Sequence, residues 1–185
     1  SVSNNTATNG GGVHVNGIFN MNGNASIKSN TGNGVCVNNG TFTVSGTPTV
    51  KENTITKDGA ASNVYLTGSG ITITIAGKLN DGASIGVTKT SNTLIATGKE
   101  AQTVKDAATK FKSDKAGYEV SVDPDNEKQL VLTKIVVPHT HSWSYQKKGD
   151  DSSTIYVSCT GDGDCEYKNK PASVKISMTK TTYPY

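Results

Sequence analysis

Two near-copies of one segment stand end to end close to the start of the chain. GGGVHVNGIFNMNGNASIKSNT (residues 10–31) is followed by GNGVCVNNGTFTVSGTPTVKENT (residues 32–54). Phe19 of the first copy aligns with Phe42 of the second, and the period is 22 to 23 residues. A fixed period in the low twenties, made of short apolar alternations between glycines and asparagines, is typical of a solenoid with one coil per repeat.

Within each copy, apolar and polar residues alternate over a few positions, as at Val13 and Val15, and this is the period of a β-strand. One such coil cannot bury its own inner face, so equivalent strands of successive copies must stack. A degenerate third copy follows at residues 63–87. The sequence therefore predicts a mainly β fold, a right-handed parallel β-helix of about three coils over residues 1–96. Because residues 2–6 resemble the end of a coil, we expect the chain to open partway through one and to come from a longer solenoid.

Asparagine recurs at matching positions of the two copies, Asn16 with Asn38 and Asn30 with Asn53. Asparagine is a residue of turns, and stacked copies can hydrogen bond through their side-chain amides. These positions are predicted either to form internal ladders at the corners of the coils or to line an outer polar surface.

Residues 97–137 predict a cap built from one helix and one β-hairpin. Thr97 and Glu100 have the spacing of a capping box, and apolar residues at helical spacing extend the predicted helix to about Lys112. Alternating apolar residues at 118–122 and 130–132 flank a strong turn signal, which predicts the hairpin. Such a unit can cover the last coil, as the end of a solenoid requires.

Residues 138–185 predict a small antiparallel β-module. His139, His141, Trp143 and Tyr145 alternate with small polar residues, and two further alternating strands follow.

The module contains the candidate metal ligands of the chain: His139, His141, Cys159 and Cys165. If a hairpin turns at residues 148–151, His141 falls opposite Cys159, with His139 one pleat away. Two histidines and two cysteines make a tetrahedral set that suits structural zinc. The alternative is a disulfide between Cys159 and Cys165, as in extracellular modules, and a third possibility is free thiols. In each case the role is structural, and no other cofactor is predicted.

The charge pattern bears on possible partners. The net charge is +3, and all 18 basic residues are lysine. Arginine is the preferred bidentate partner of phosphate and of guanine, so its absence from the sequence argues against nucleic-acid binding. The chain has no apolar run of the length of a membrane span, and we expect none in this fragment.

The predicted coils suggest a protein that is not an enzyme. His14, Cys36 and Tyr65 occupy one outward position in successive coils, and we interpret them as surface positions of a stacked sheet. Glycosidases use a pair of carboxyl groups, whereas Glu52 is the only acid in the first 57 residues. We predict no catalytic residue.

The stretches GGGVHVNGIFNMNG and GNGVCVNNGTFTVSG resemble the glycine-rich β-helix repeats of large secreted surface proteins from gut-type Gram-positive bacteria. The stretch from HTHSWSY to YVSCTGDGDC resembles a small module found between such repeats. The resemblance implies an extracellular, cell-surface, adhesin-like protein in which this fragment serves adhesion or acts as a stalk or spacer. The partner would be a glycan or protein ligand on a host or bacterial surface. The alternative is part of a carbohydrate-active protein, a polysaccharide lyase or a glycan-binding β-helix, whose active coils lie outside this chain.

Overall fold

A computed structural model describes residues 1–55, 58–91, 93–136, 142–148, 151–160 and 172–175. The fold is mainly β, and the chain divides into two compact units, Ser1–Ile135 and Val136–Tyr185. The first unit is a parallel β-solenoid of about five turns, and the second contains a small antiparallel sheet. The predicted parallel β-helix is confirmed, and it is longer than the three coils that the sequence indicates.

Each regular coil contributes three strands, which stack in three columns along the solenoid. A final hairpin and a short sheet complete the described elements. In chain order these are β1 (Val2–Ser3), β2 (Val13–Val15), β3 (Ile18–Met21), β4 (Ser26–Lys28), β5 (Val35–Val37), β6 (Thr41–Gly46), β7 (Thr49–Lys51), β8 (Val64–Leu66), β9 (Ile73–Leu79), β10 (Ser84–Lys89), β11 (Leu94–Gly98), α1 (Ala101–Ala108), β12 (Phe111–Ser113), β13 (Tyr118–Asp123), β14 (Asn126–Lys134), β15 (Trp143–Lys148), β16 (Asp151–Cys159) and β17 (Ala172–Lys175).

The columns follow the register that the repeat predicts. The first column stacks β2, β5 and β8 in parallel, the second stacks β3, β6, β9 and β11, and the third stacks β1, β4 and β7. Phe19 pairs with Phe42, and their rings stack with centroids 5.3 Å apart. Apolar side chains of successive coils thus share one continuous core, which single coils could not form alone.

Strand β10 runs through the place where the third coil should bend. Its first residues, Ser84 and Ile85, pair with β7 in the third column. Its last residues, from Val87 to Lys89, pair with β8 in the first column. One uninterrupted strand therefore ends the third coil and begins a fourth, and it joins the two columns into one eight-stranded sheet.

The fourth coil contains the helix and corrects part of the predicted cap. Thr97 lies in β11 and pairs with Thr74, so it does not cap the helix. Glu100 takes the N-cap position without a side-chain capping bond, and the predicted capping box is wrong. Phe111 pairs in parallel with Ile85 as part of β12 instead of ending the helix. At Thr97 and Phe111, strand pairing with a neighbouring sheet edge outweighs the local preference for a helix.

The hairpin β13–β14 closes the second column, as predicted. Strand β14 pairs antiparallel with β11, and Leu130 and Leu132 are buried. Val104 and Ala107 of α1 are buried in the same core. The helix and the hairpin therefore cover the last coil. Within the described residues, no helix has the length and apolar character needed to cross a bilayer.

The described residues of the second unit form a three-stranded antiparallel sheet in the order β15-β16-β17. Strands β15 and β16 pair antiparallel, and Lys148 pairs with Asp151, the two residues between which the sequence predicts the turn. Their register pairs Trp143 with Cys159, so Trp143 holds the position that the sequence assigned to His141.

Candidate functional site

A ladder of side-chain amides runs through the junctions between coils. The amide Nδ2 of Asn5 donates to Oδ1 of Asn30 at 3.0 Å, Asn30 donates to Asn53 at 2.9 Å, and Asn53 donates to Asn63 at 3.1 Å. The backbone N–H of each donor residue bonds the same oxygen, also at 3.0 Å. The last step runs from Nδ2 of Asn63 to Oδ1 of Asp114 at 2.7 Å. These five residues are called the asparagine ladder. Of the two predicted alternatives, Asn30 and Asn53 form the internal ladder, whereas Asn16 and Asn38 are exposed on the outer surface.

The ladder depends on glycines in the strand that follows each junction. A Cβ added to Gly34 would lie 2.5 Å from Nδ2 of Asn53, and one added to Gly86 would lie 2.3 Å from Oδ1 of Asp114. Register aligns Gly34 and Gly86 with Asn63, since each directly precedes a paired valine. In its own coil, Asn63 therefore occupies the position that Gly34 and Gly86 occupy in theirs. From this position its side chain joins the ladder.

Asp114 terminates the asparagine ladder. Its Oδ2 accepts from the backbone N–H of Asn63 at 2.6 Å, while its Oδ1 accepts from the side chain of the same residue. Burial raises the pKa of Asp114, although both hydrogen bonds from Asn63 act in the opposite direction. The carboxylate is thus held in one orientation beside the last coil.

A groove of about 450 Å³ lies over the junctions and is called the junction groove. Successive junctions form its walls, and Tyr65 and Thr88, which pair side by side in the first column, also line it. The described lining residues are Thr8, Asn9, Asn33, Ile55, Ala60, Ala61, Ser62, Tyr65, Thr88, Asp114 and Lys115. The groove therefore presents backbone and side-chain groups from consecutive levels of the solenoid.

Polar groups of the junction groove are fixed to different degrees. Nδ2 of Asn33 donates to Oγ of Ser62 at 2.7 Å, and both residues are buried. The hydroxyl of Thr88 is buried without a hydrogen-bond partner among the described residues.

Nζ of Lys115 lies 4.0 Å from the centroid of the Tyr118 ring. A cation over an aromatic face is attracted to it and is held in place.

A second cavity of about 200 Å³ adjoins these residues and is called the side cavity. It is lined by Lys89, Thr90, Ser91, Thr93, Lys115, Tyr118 and Leu132. Lys115 lines both the side cavity and the junction groove.

Lys89 is a buried charge at a core position. It continues the inward row formed by Val15, Val37 and Leu66, and it is 2% exposed. Its Nζ donates to three backbone carbonyls, those of Ser69 at 3.1 Å, Ile71 at 2.6 Å and Leu94 at 2.8 Å. Burial lowers the pKa of Lys89.

The predicted row of His14, Cys36 and Tyr65 is present in the register, but the three side chains differ in exposure. His14 is exposed, whereas Cys36 is 2% exposed. The prediction of a surface position is therefore wrong for Cys36, because both faces of β5 are buried. Burial raises the pKa of the Cys36 thiol, and a protonated thiol is a poor nucleophile.

Of the predicted metal ligands, only Cys159 is among the described residues. It is buried and lies opposite Trp143. His139, His141 and Cys165 lie outside the described residues. Structural zinc and a Cys159–Cys165 disulfide both stay predictions.

Sequence reasoning missed Lys89, Asp114 and Lys115. The alternation of Val87, Thr88 and Lys89 repeats that of Val64, Tyr65 and Leu66, and this signal places Lys89 on the inner face. Asp114 and Lys115 follow an irregular coil, and no repeat in the sequence marks them.

Comparison with known proteins gives no relative from which a role could be transferred. No family model, curated protein or solved structure matches this chain. Function must therefore be argued from the groove, the cavity and the fold themselves.

Proposed function

We propose that this chain is a non-catalytic part of a secreted bacterial cell-surface protein. In this proposal the solenoid serves adhesion or acts as a stalk or spacer, and the junction groove binds an extended glycan or protein ligand on a host or bacterial surface. The resemblance of the repeats supports the proposed extracellular location, and the geometry of the groove supports the proposed binding role.

The observation that carries the binding role is the way the groove is lined. Thr8, Asn33 and Ser62 follow β1, β4 and β7, which are neighbours in the third column, and Asp114 follows β12, two strands further along the same sheet. Neighbouring strands in a sheet lie about 4.8 Å apart, so the lining of the groove extends over several such spacings along the solenoid. An extended chain can therefore contact several levels at once, and a compact small molecule would use only one.

The chemistry of the lining suits recognition of hydroxyl-bearing or amide-bearing ligands. Tyr65 offers a partly exposed aromatic ring on which a sugar or side chain can stack. Asn9 supplies an exposed amide group, which can both donate and accept hydrogen bonds. The asparagine ladder holds Asp114 in place beneath these groups, which favours a pre-formed site.

One observation favours the alternative of a carbohydrate-active protein. Burial raises the pKa of Asp114, and a carboxyl with a raised pKa suits a general acid. Glycosidases, however, use two carboxyl groups placed on either side of the bond that they cleave. Both oxygens of Asp114 also accept hydrogen bonds from Asn63, which fits a structural role for this carboxyl.

The test combines a binding screen with a degradation assay on the full 185-residue chain. Glycan arrays and surface-protein extracts identify a ligand, and calorimetry then compares wild type with Tyr65→Ala. We expect Tyr65→Ala to weaken binding about tenfold, the effect of one stacking aromatic contact. His14→Ala is the matched control, since His14 lies in the same row but does not line the groove. Release of products from the bound glycan, abolished in Asp114→Asn, would instead overturn the proposal that this chain is non-catalytic.

A further inference from the structure

The side cavity has a chemistry different from that of the junction groove. Its described lining contains two lysines, three hydroxyl residues and a tyrosine, and no carboxylate. We propose that the side cavity binds an oxyanion, a sulfate, phosphate or carboxylate group, between Lys115, Thr90, Ser91 and Thr93. This inference does not depend on the ligand of the junction groove.

The first argument is the unbalanced charge at Lys89. No carboxylate of a described residue lies within 4.0 Å of its Nζ, although salt bridges are found at Lys51, Lys105 and Lys110. Backbone carbonyls solvate the ammonium but do not neutralise it. In the poorly polarisable interior the remaining positive potential is weakly screened, so an anion in the adjoining cavity is attracted to it.

The second argument is the position of Lys115. Its ammonium lies over the Tyr118 ring, which lines the same cavity. A cation–π contact orients the group over the ring, and the N–H donors that point away from the ring stay available for a ligand. Asp114, its neighbour in the chain, lines the junction groove and not the side cavity, and Asn63 donates to both of its oxygens.

The third argument is size and donor type. Hydroxyls of Thr90, Ser91 and Thr93 can donate to anionic oxygens, as charge-assisted hydrogen bonds require. The volume of about 200 Å³ is below the roughly 300–1,000 Å³ of pockets for drug-sized ligands. A single anionic group therefore suits the cavity better than a whole sugar ring.

The two sources of such a group differ in how they reach the cavity. A free inorganic anion can enter alone. An acidic group carried by a polymer can reach Lys115 from the side of the junction groove, because Lys115 lines both sites. The shared chemistry is the oxyanion, and the experiment below separates the two sources.

The test titrates the full chain, labelled with nitrogen-15, with sodium sulfate while sodium chloride holds the ionic strength constant. We expect saturable shifts of the amide signals of Thr90, Thr93 and Tyr118, and a shift of the Lys89 ammonium signal. Lys115→Gln should weaken sulfate binding about tenfold, the loss expected for one charged hydrogen bond. Lys115→Arg should retain most of it.

Lys112→Gln is the matched control, because Lys112 is an exposed lysine of β12 that does not line the cavity. Equal sulfate affinity in Lys115→Gln and Lys112→Gln, or shifts that grow linearly without saturation, would overturn the proposal. A second titration uses a sulfated oligosaccharide and its uncharged parent. Tighter binding of the sulfated form than of free sulfate assigns the site to a polymer-borne group, and equal affinity assigns it to a free anion.

Discussion

Asn53 donates its side-chain amide to Asn63 at 3.1 Å, although only ten residues separate them. The preceding step of the ladder, from Asn30 to Asn53, spans 23 residues, one full coil. The ladder thus continues across an irregular junction, because the side chain of Asn63 joins it from a position that is glycine in the neighbouring coils. The hydrogen-bond pattern is maintained where the repeat in the sequence is lost.

Removing a central member of the ladder should be costly. Asn53 accepts from Asn30 and donates to the carbonyls of Ile27 and Lys51 as well as to Asn63. Asn53→Ala leaves several of these buried groups without partners, and we expect the free energy of unfolding to fall by roughly 2–4 kcal/mol. Urea denaturation followed by circular dichroism measures the change.

The control for this prediction is Asn38→Ala. Asn38 is exposed and donates to Asn16 at 3.4 Å, a weak bond at the edge of the usual range. We expect a change of less than about 0.5 kcal/mol. Equal losses in the two variants would mean that the ladder adds nothing beyond surface hydrogen bonding.

Glycine at position 34 should be required for close approach and not for flexibility. A Cβ there would lie 2.5 Å from the Asn53 amide and 2.8 Å from the backbone oxygen of Asn63. We expect Gly34→Ala to lower stability by about 2–3 kcal/mol, the usual effect of overpacking. At Gly17 an added Cβ meets nothing within 4 Å, so Gly17→Ala should be close to neutral when both variants are compared by urea denaturation. A mild effect at Gly34 would contradict the packing described for the ladder.

Asp114 should make stability depend on pH with a definite sign. Its pKa in the folded protein is raised above 3.8, so the folded state binds more protons than the unfolded state between the two values. This contribution is fully present below the unfolded pKa and is lost as pH rises through the folded pKa. The stability of wild type relative to Asp114→Asn should therefore fall as pH increases from about 3 to 7.

Two substitutions at position 114 separate this effect from the hydrogen bonds. An asparagine at position 114 would keep an Oδ1 acceptor for Asn63. In the other steps of the ladder, the Oδ1 of one asparagine accepts from both the backbone and the side chain of its neighbour. Alanine removes both acceptors, and we expect Asp114→Ala to lose about 1–3 kcal/mol at pH 7 while Asp114→Asn loses little or gains. Urea titrations at several pH values measure both. A pH-independent difference between wild type and Asp114→Asn would show that Asp114 has no raised pKa.

Lys89 should stabilise the protein in spite of its burial. Methionine at this position would extend the apolar row of Val37 and Leu66, but it would leave three carbonyl oxygens without their shared donor. We expect Lys89→Met to lower the free energy of unfolding by about 2–4 kcal/mol. Lys128→Met, at an exposed position of β14, is the control in the same denaturation series. A more stable Lys89→Met would mean that desolvation of the charge outweighs its hydrogen bonds.

The sequence predicts the parts of the fold that recur. The pairings of Phe19 with Phe42 and of Asn30 with Asn53 follow from a period that is visible in the residues themselves. The sequence does not indicate the fourth coil because residues 90–113 do not repeat the earlier pattern, and a helix interrupts them. Local signals at Thr97 and Phe111 favour a longer helix, and strand pairing overrides them.

The candidate site depends on contacts that no local pattern contains. The alternation of residues correctly places Cys36 on the opposite face of β5 from Val35 and Val37. It does not predict that this face is covered, and Cys36 is buried. Asp114 meets Asn63 across 51 residues, and Lys115 meets Tyr118 only after the chain turns. These contacts can be identified only from the three-dimensional structure.

Strand β10 has a consequence for how the solenoid responds to tension. Coils that bend at a junction can be peeled from their neighbours one strand at a time. β10 is held by β7 and β12 at one end and by β8 at the other, without a bend between them. Unravelling under load must therefore break bonds in two columns within a single step. Under mechanical force, we expect uncoiling from the amino-terminal side to pause at this strand.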